Sequence, residues 1–515
     1  MAELRLNTEE IKDNGLLRLT NDTVITHDVS EEFSLPDYVP EIRRLLNVRA
    51  QALPESKYIA DSGSNSSLEI GGTVTYLLIY TDDEGNLCSL PLTSSYEAEA
   101  TLVSHPTTVF IDTVVDSTSP RVNAPRKITV KSRLKSRILG WENVTEEERI
   151  EGKTTADELF IERKSETVKA LSIKPVSMQN IRISDKLDMG AYQSPRPVWC
   201  DASVTVNDVR AQNNSVSVRG EVTVKCICKD GENMITLTKS VALAEELEAQ
   251  GATLGDMARV SARPVSLAIS NEQSDSVGQL FFDLTCELEG ELIRNTENEL
   301  VTDCYSTRCE TEGEYKTIDV FSMLKAQNSS FSINESVKRK AKDICEIIDI
   351  MWDPVYEKAE FKNGKAILNG RLNLTLIGKG EEQDGDTAEY LSESYEIPYK
   401  YATDLGRYTG ELVARCDMSV SNATARLDGD KLIVSAEMHP SFEVIEKNKV
   451  KILDTAILKK DKEIKKEAAC VRVYFPKEGD TLWEIAKKYH TTVATLKENY
   501  DLSTDTVDGI KSIII

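Results

Sequence analysis

No stretch of the chain approaches 18 consecutive apolar residues, so no transmembrane helix is expected. The N-terminal MAELRLNTEEIKDNG lacks a basic segment leading into an apolar one, and no signal peptide is read there. Glycine and proline together number 40, too few for a collagenous or low-complexity chain. The ten cysteines, at 88, 200, 226, 228, 286, 304, 309, 345, 416 and 470, contain no CxxC pair. Without zinc-type spacing they read as reduced thiols in a reducing compartment, with no metal site. Cys226 and Cys228, two apart on an expected strand, point to one face as small apolar residues.

Catalytic signatures are also missing. The four histidines, His27, His105, His439 and His490, lie near no GxSxG, HExxH or Cys–His arrangement. Gly364-Lys365 and Gly378-Lys379 lack the spaced glycine and the hydroxyl residue of a phosphate-binding loop. No catalytic residue and no cofactor are assigned, and the chain is read as a non-enzyme. Basic residues are outnumbered 62 to 86, giving a net charge of −24 and a pI near 4.8. That field repels phosphate backbones, so nucleic acid is not an expected partner. An acidic balance is ordinary for a bacterial cytosolic protein.

What is present is repetition. At 515 residues the chain should hold three or four domains of roughly 150 residues each. Gly72-TVTYLLI, Gly220-EVTVKCI and Gly370-RLNLTLI stand 148 and 150 residues apart. The second, fourth and sixth residues after each glycine are apolar, and the intervening ones are polar except Leu77. This period-2 pattern predicts a half-buried strand. Ile79, Ile227 and Ile377 follow at the seventh position. Upstream, Ile42, Leu45, Leu46 and Val48 match Ile344, Ile347, Ile348 and Ile350, while the second copy diverges around Val198-Trp199. About 60 residues after each glycine, strands are expected from Ile128, Leu280 and Leu432. TDDEGN (81–86), KDGEN (229–233) and KGEEQDGD (379–386) read as hairpin loops.

The expected fold class is mainly β, with three tandem antiparallel β-sandwich or barrel-like domains. A period of 150 is too long for a solenoid. The expected limits are 1–165 for an N-terminal extension and repeat 1, 170–310 for repeat 2 and 330–446 for repeat 3. Between them, residues 142–169 are charged, with helical spacing around Leu159-Phe160, and 310–342 carry a short amphipathic run from Ile318 and then a polar stretch. Residues 447–469 are expected as a lysine-rich linker, with eight lysines between 447 and 466. The competing reading of those lysines is a positive strip for an acidic partner surface.

From 470 to 515 the texture changes. Val471, Val473 and Phe475 alternate, Gly479 permits a tight turn, and Thr481 with Glu484 forms a capping box. Leu482, Ile485, Ala486 and Tyr489 predict one apolar helical face, Thr492 caps a second helix with Val493 and Leu496, and Ile513 to Ile515 close as a strand. Trp483 lies off that face, which leaves it either exposed at an interface or packed on the first strand.

This β-α-α-β segment resembles a LysM domain through Tyr474-FPKEGDTLWEIAKKY, Leu496 and Asn499. The resemblance implies recognition of N-acetylglucosamine-containing glycans in a shallow groove. One side would be Gly479, Asp480, Thr481 and Leu482; the other would be Tyr500, Asp501 and Leu502, with Trp483 as a further glycan- or partner-binding candidate. The family's closing run departs here to Val507-Asp-Gly-Ile. The repeats, with Leu35-PDYVPEI preceding the first glycine strand, resemble the domain found in several copies in clostridial sporulation proteins. Such repeats followed by one LysM domain resemble the SipL-like family of spore-coat morphogenetic proteins. That resemblance implies a spore-coat assembly scaffold in the mother-cell cytoplasm, at the forespore surface. Its partners would be the basement-layer ATPase and other coat proteins. The alternatives are a peptidoglycan- or chitin-type glycan-binding envelope protein and, less favoured by the missing motifs, a cell-wall hydrolase.

Overall fold

The computed structural model describes residues 3–5, 16–61, 66–103, 106–143, 160–190, 192, 195–274, 277–340, 343–381, 388–464, 472–500, 505–507 and 510–514. After a short strand β1 (Glu3–Arg5), the first repeat contains β2 (Leu17–Ser34), β3 (Arg44–Asp61), β4 (Ser66–Thr81), β5 (Leu87–Leu102), β6 (Thr108–Ala124) and β7 (Lys127–Asn143). The second contains β8 (Ile161–Lys186), β9 (Arg196–Gln212), β10 (Ser215–Asp230), β11 (Asn233–Glu248), β12 (Met257–Ser274) and β13 (Val277–Ser306). The third contains β14 (Cys309–Asn328), β15 (Phe331–Lys338), β16 (Ile344–Lys362), β17 (Lys365–Gly380), β18 (Tyr390–Asp404), β19 (Glu411–Asp428) and β20 (Lys431–Glu463).

Each repeat is an antiparallel sandwich of the same wiring. Three consecutive strands form one sheet, with the repeat-glycine strand in its centre: β3-β4-β5, β9-β10-β11 and β16-β17-β18. In the other sheet the last strand pairs with both the preceding strand and the repeat's first: β2-β7-β6, β8-β13-β12, and β14 and β15 on β20 beside β19. The alternating apolar residues fill the space between the sheets, as their period requires. Val74, Tyr76 and Leu78 meet Ile128 and Val130; Val222, Val224 and Cys226 meet Leu280 and Phe282; Leu372, Leu374 and Leu376 meet Leu432 and Val434.

The repeat glycine has a steric reason. The partner strand's register shifts beside it in all three sandwiches, between Pro54 and Ser56, between Val206 and Asp208, and between Tyr356 and Lys358. At each of these β-bulges the partner backbone crowds the glycine. A Cβ would strike the carbonyl oxygen of Leu53, Thr205 or Val355.

The three sandwiches close a ring about a pseudo-threefold axis. β5 lies against β9, β11 against β16, and β18 against β3. Two of these seams use equivalent hydrogen bonds: the Ser89 hydroxyl donates to the Val198 carbonyl and the Ser392 hydroxyl to the Leu46 carbonyl, each at 2.5 Å. The repeated isoleucines, expected only as part of a strand signature, meet at one end of the axis. There Leu46, Ile79 and Leu87 pack with Trp199, Ile227, Ile348, Met351 and Ile377. Beside them Asp349, 5% exposed, accepts from Trp199 Nε1 at 3.1 Å and from Lys225 Nζ at 2.5 Å. A second shared cluster, Leu17, Trp141, Leu171, Ile173, Ile293, Phe321, Met323 and Ile445, again draws on all three repeats. Near it the buried Arg415 of the third repeat bonds Glu443 of its own repeat and Glu291 of the second.

Beyond this second cluster a stalk leaves the ring. The first half of β8 pairs with the second half of β13, and β14 pairs with the second half of β20. The two ribbons pack face to face through Ala170, Val320, Cys304, Leu453 and Ala456. β1 adds to β20 at Leu458.

These ribbons replace three expected connectors. Residues from Ile161 onward are strand rather than helix, while Leu159 lies outside the described residues. Residues 310–342 include β14 and β15. The lysine-rich segment is not a linker as far as Glu463, because β20 runs through it. Its lysines face acids on β14: Lys447 bonds Asp319 at 3.0 Å, Lys462 bonds Glu310 at 3.0 Å, and Lys459 bonds Glu312. Lys451 sits 4.4 Å above the Tyr315 ring. Lys447, Lys459 and Lys462 are thus paired within the chain. Partly exposed to solvent, each such pair is individually weak.

Among the described residues, no helix is long and apolar enough to cross a membrane.

Candidate functional site

The C-terminal module sits at the stalk tip. β21 (Val473–Tyr474) pairs with β22 (Ile513–Ile514), and α1 (Leu482–Tyr489) and α2 (Val493–Tyr500) lie between them. Leu482, Ile485, Ala486, Leu496, Val507 and Ile513 form its core, so the apolar spacing is realised as expected. The cap is complete. Thr481 Oγ1 accepts from the Glu484 amide at 3.2 Å, and Glu484 Oε2 accepts from the Thr481 amide at 3.3 Å. On α2, Thr492 Oγ1 accepts from the Thr495 amide at 3.0 Å.

The turn before α1 is tightly specified. Gly479 has φ +90°, where a side chain would be strained. Asp480 Oδ2 accepts from the Lys477 amide at 2.8 Å and from the Tyr474 hydroxyl at 2.7 Å. The Lys477 amide, then Tyr474, hold this carboxyl below the usual carboxylate range. The hydrogen bond to Asp480 in turn pushes the Tyr474 hydroxyl up to about 12.

This turn lies beside the segment leading to β22. Thr481 bridges Thr506, and the Leu482 amide donates to the Asp505 carbonyl at 2.8 Å. Gly479 is exposed and Asp480 and Thr481 half-buried, with Asp505 and Thr506 exposed opposite them. The structure thus joins one expected wall to the strand-2 side, at 505–506. Leu482 is wholly buried and supports that wall from beneath. Tyr500 ends α2, and its side chain is outside the description, as are Asp501, Leu502 and Ile515.

Residues 477–507 match the LysM domain. A LysM domain is a binding module rather than a catalytic one, and it implies recognition of peptidoglycan or other N-acetylglucosamine-containing glycans. No curated protein matches the chain, and no solved structure matches it.

A second side of the LysM domain, carrying Trp483 and Lys487, is docked on the stalk, against β13 of the second repeat and β14 of the third. Trp483 is 6% exposed and meets the Tyr305 ring edge-on, with centroids 4.9 Å apart. Its Nε1 donates to Asp303 Oδ2 at 2.8 Å. Lys487 Nζ reaches both oxygens of Asp303 at 2.6 and 2.7 Å, and the Tyr315 hydroxyl donates to Oδ1 at 2.7 Å. The Tyr305 hydroxyl donates to the Thr491 carbonyl at 2.7 Å. Burial by itself would raise the Asp303 carboxyl, but its donors Lys487, Trp483 and Tyr315 outweigh that and hold it low. The sequence offered no signal for Asp303, Tyr305 or Tyr315, which are more than 160 residues from the LysM domain in the chain. The off-face position of Trp483 was the one trace of the joint.

Among the described residues, no group of three or more His, Cys, Asp or Glu side chains could hold a metal ion. Cys226 and Cys228 are buried in the second sandwich, and Cys304 and Cys309 are buried in the stalk.

Proposed function

We propose that the chain is a non-catalytic scaffold that holds one LysM domain at the end of a rigid stalk and engages an N-acetylglucosamine-containing glycan there. The observation that carries this reading is the two-sidedness of the LysM domain. Gly479, Asp505 and Thr506 are exposed at one edge with Asp480 and Thr481 half-buried beside them, while the domain's Trp483 and Lys487 side is occupied by the platform. Backbone amides and short polar groups at such an edge suit an acetamido group. Calorimetry of the full chain with N-acetylglucosamine oligomers and peptidoglycan fragments tests the reading. Absence of heat at millimolar ligand rejects it, and zymography on peptidoglycan separates a binder from a hydrolase.

The finer proposal is a role in spore-coat assembly from the mother-cell cytoplasm, with the basement-layer ATPase and other coat proteins as partners. Its support is the order of the sequence elements: Leu35-PDYVPEI, three glycine strands and a single C-terminal LysM domain. A fluorescent fusion forming a ring around the forespore supports it, and a peripheral wall pattern favours an envelope glycan binder. Deleting residues 470–515 should leave the sandwiches folded while abolishing pull-down of coat partners.

A further inference from the structure

We infer that Asp303, on the second repeat, is a positioning residue for the glycan site: it fixes the direction in which the LysM groove faces. This rests on the glycan reading above. The geometry is a three-donor socket. One carboxylate gathers an indole N–H, an ammonium and a phenol from α1 and β14, and the Tyr305 ring closes it from below.

Two features make this a determinant of orientation and not one contact among many. First, Trp483 and Lys487 are one helical turn apart, so a single acceptor holds α1 at two points and removes its freedom to swing. The Thr491 carbonyl, just beyond the end of α1, is held separately by the Tyr305 hydroxyl. Second, α1 is capped by Thr481, a residue of the groove wall. An axis fixed at Asp303 therefore fixes the groove edge, while among the described residues the Asp303 carboxylate bonds Trp483, Lys487 and Tyr315 and not the Gly479–Leu482 or Asp505–Thr506 walls. The expected consequence is that a bound glycan takes one direction relative to the ring without gaining affinity. Preorganisation of this kind lowers the ordering cost of further assembly on the same glycan.

The test uses the full chain labelled with 5-fluorotryptophan, which gives four resonances, with W483F assigning one. D303K should shift the Trp483 resonance toward that of a solvated indole and leave those of Trp141, Trp199 and Trp352 in place, which also verifies the fold. The charge-swapped D303K/K487D protein should recover part of the shift. A Trp483 resonance unmoved by D303K overturns the inference.

The second measurement is energy transfer between a dye on the exposed Cys345 and one on the reducing end of an N-acetylglucosamine hexamer. The parent chain should give one narrow distance distribution. D303K should bind the hexamer with the same affinity but with a broad distribution. A distribution that stays narrow in D303K also overturns the inference. If neither protein binds the hexamer, the glycan reading fails, and the fluorine resonances still decide whether Asp303 holds the module.

Discussion

Replacing the repeat glycines with alanine tests the bulge argument at three equivalent places. At Gly220 the new methyl group meets only backbone, the Thr205 carbonyl. At Gly72 it also meets the Tyr96 hydroxyl at 2.8 Å, and at Gly370 it runs into the Tyr399 ring. Tyr399 has little room to withdraw, because its hydroxyl donates to the Val355 carbonyl at 2.9 Å across the same glycine. Overpacking of this kind costs about 1–3 kcal/mol. Alanine also restricts the unfolded chain, which returns about 0.4–1 kcal/mol. The net loss should therefore be about 1–2 kcal/mol, ordered Gly370→Ala, then Gly72→Ala, then Gly220→Ala. For a unit of this size that is a melting shift of roughly 2–8 °C. Because the ring shares two cores, the loss is best read by hydrogen exchange resolved to β16–β17, β3–β4 and β9–β10. Gly85→Ala is the control: its φ of +78° strains an alanine, but nothing crowds the methyl, so exchange should rise at the 82–86 hairpin alone. Full protection across β16–β17 in Gly370→Ala would refute the claim that the partner carbonyl sets the need for glycine.

Four other outcomes are expected. Asp349→Ala leaves Lys225 without its buried partner between two repeats, and thermal unfolding should register about 3–5 kcal/mol of destabilisation. Asp480→Ala removes the acceptor for Lys477 and Tyr474, so calorimetry with N-acetylglucosamine oligomers should show weaker binding with the ring unaltered. The same carboxyl is held below its usual 3.8 in the fold. A depressed carboxylate contributes above its unfolded value and loses that contribution as pH falls through the folded one, so the Tyr474 amide and ring resonances should persist to about pH 4 and shift only below it. Among the described cysteines, native alkylation followed by mass spectrometry should label the exposed Cys345 first. Cys226 and Cys286 should react only on unfolding, because they are buried and their thiols are pushed up, Cys286 to about 11 mainly by burial.

Local patterning made much of the fold legible. The alternation after each glycine marked the central strands because one sheet face is buried, and the same logic found Ile128, Leu280 and Leu432 on the facing sheet. The capping box and the Leu482–Tyr489 spacing located α1 because both depend on residues within two turns. The isoleucines at 79, 227 and 377 were visible as a repeat, but that they touch one another depends on ring closure, which no local period encodes. The lysines of 447–463 misled for a related reason: a charge run looks solvated until the strand opposite is known, and β14 supplies its acids from more than 120 residues away. Asp480 and Thr481 were found by motif. Asp303 could not be, since it acts on the LysM domain only through the tertiary fold.

Ring closure also sets a schedule for synthesis. The apolar corner formed by Leu46 and Ile79 has no complete cover until Ile377 emerges roughly 300 residues later, which at ribosomal speeds of about 5–20 residues per second means roughly 15–60 s. The stalk waits longer, because β1 and β14 both need the second half of β20. During that interval a half-made ring offers its open seams to any neighbouring nascent chain of the same kind, since each sandwich carries the same wiring. The unlike groups at the seams, with Trp199 and Lys225 of one repeat bonding Asp349 of another, mark which sandwich belongs beside which. A chain that builds a ring from three near-copies of itself must also tell its own copies from those of its neighbour.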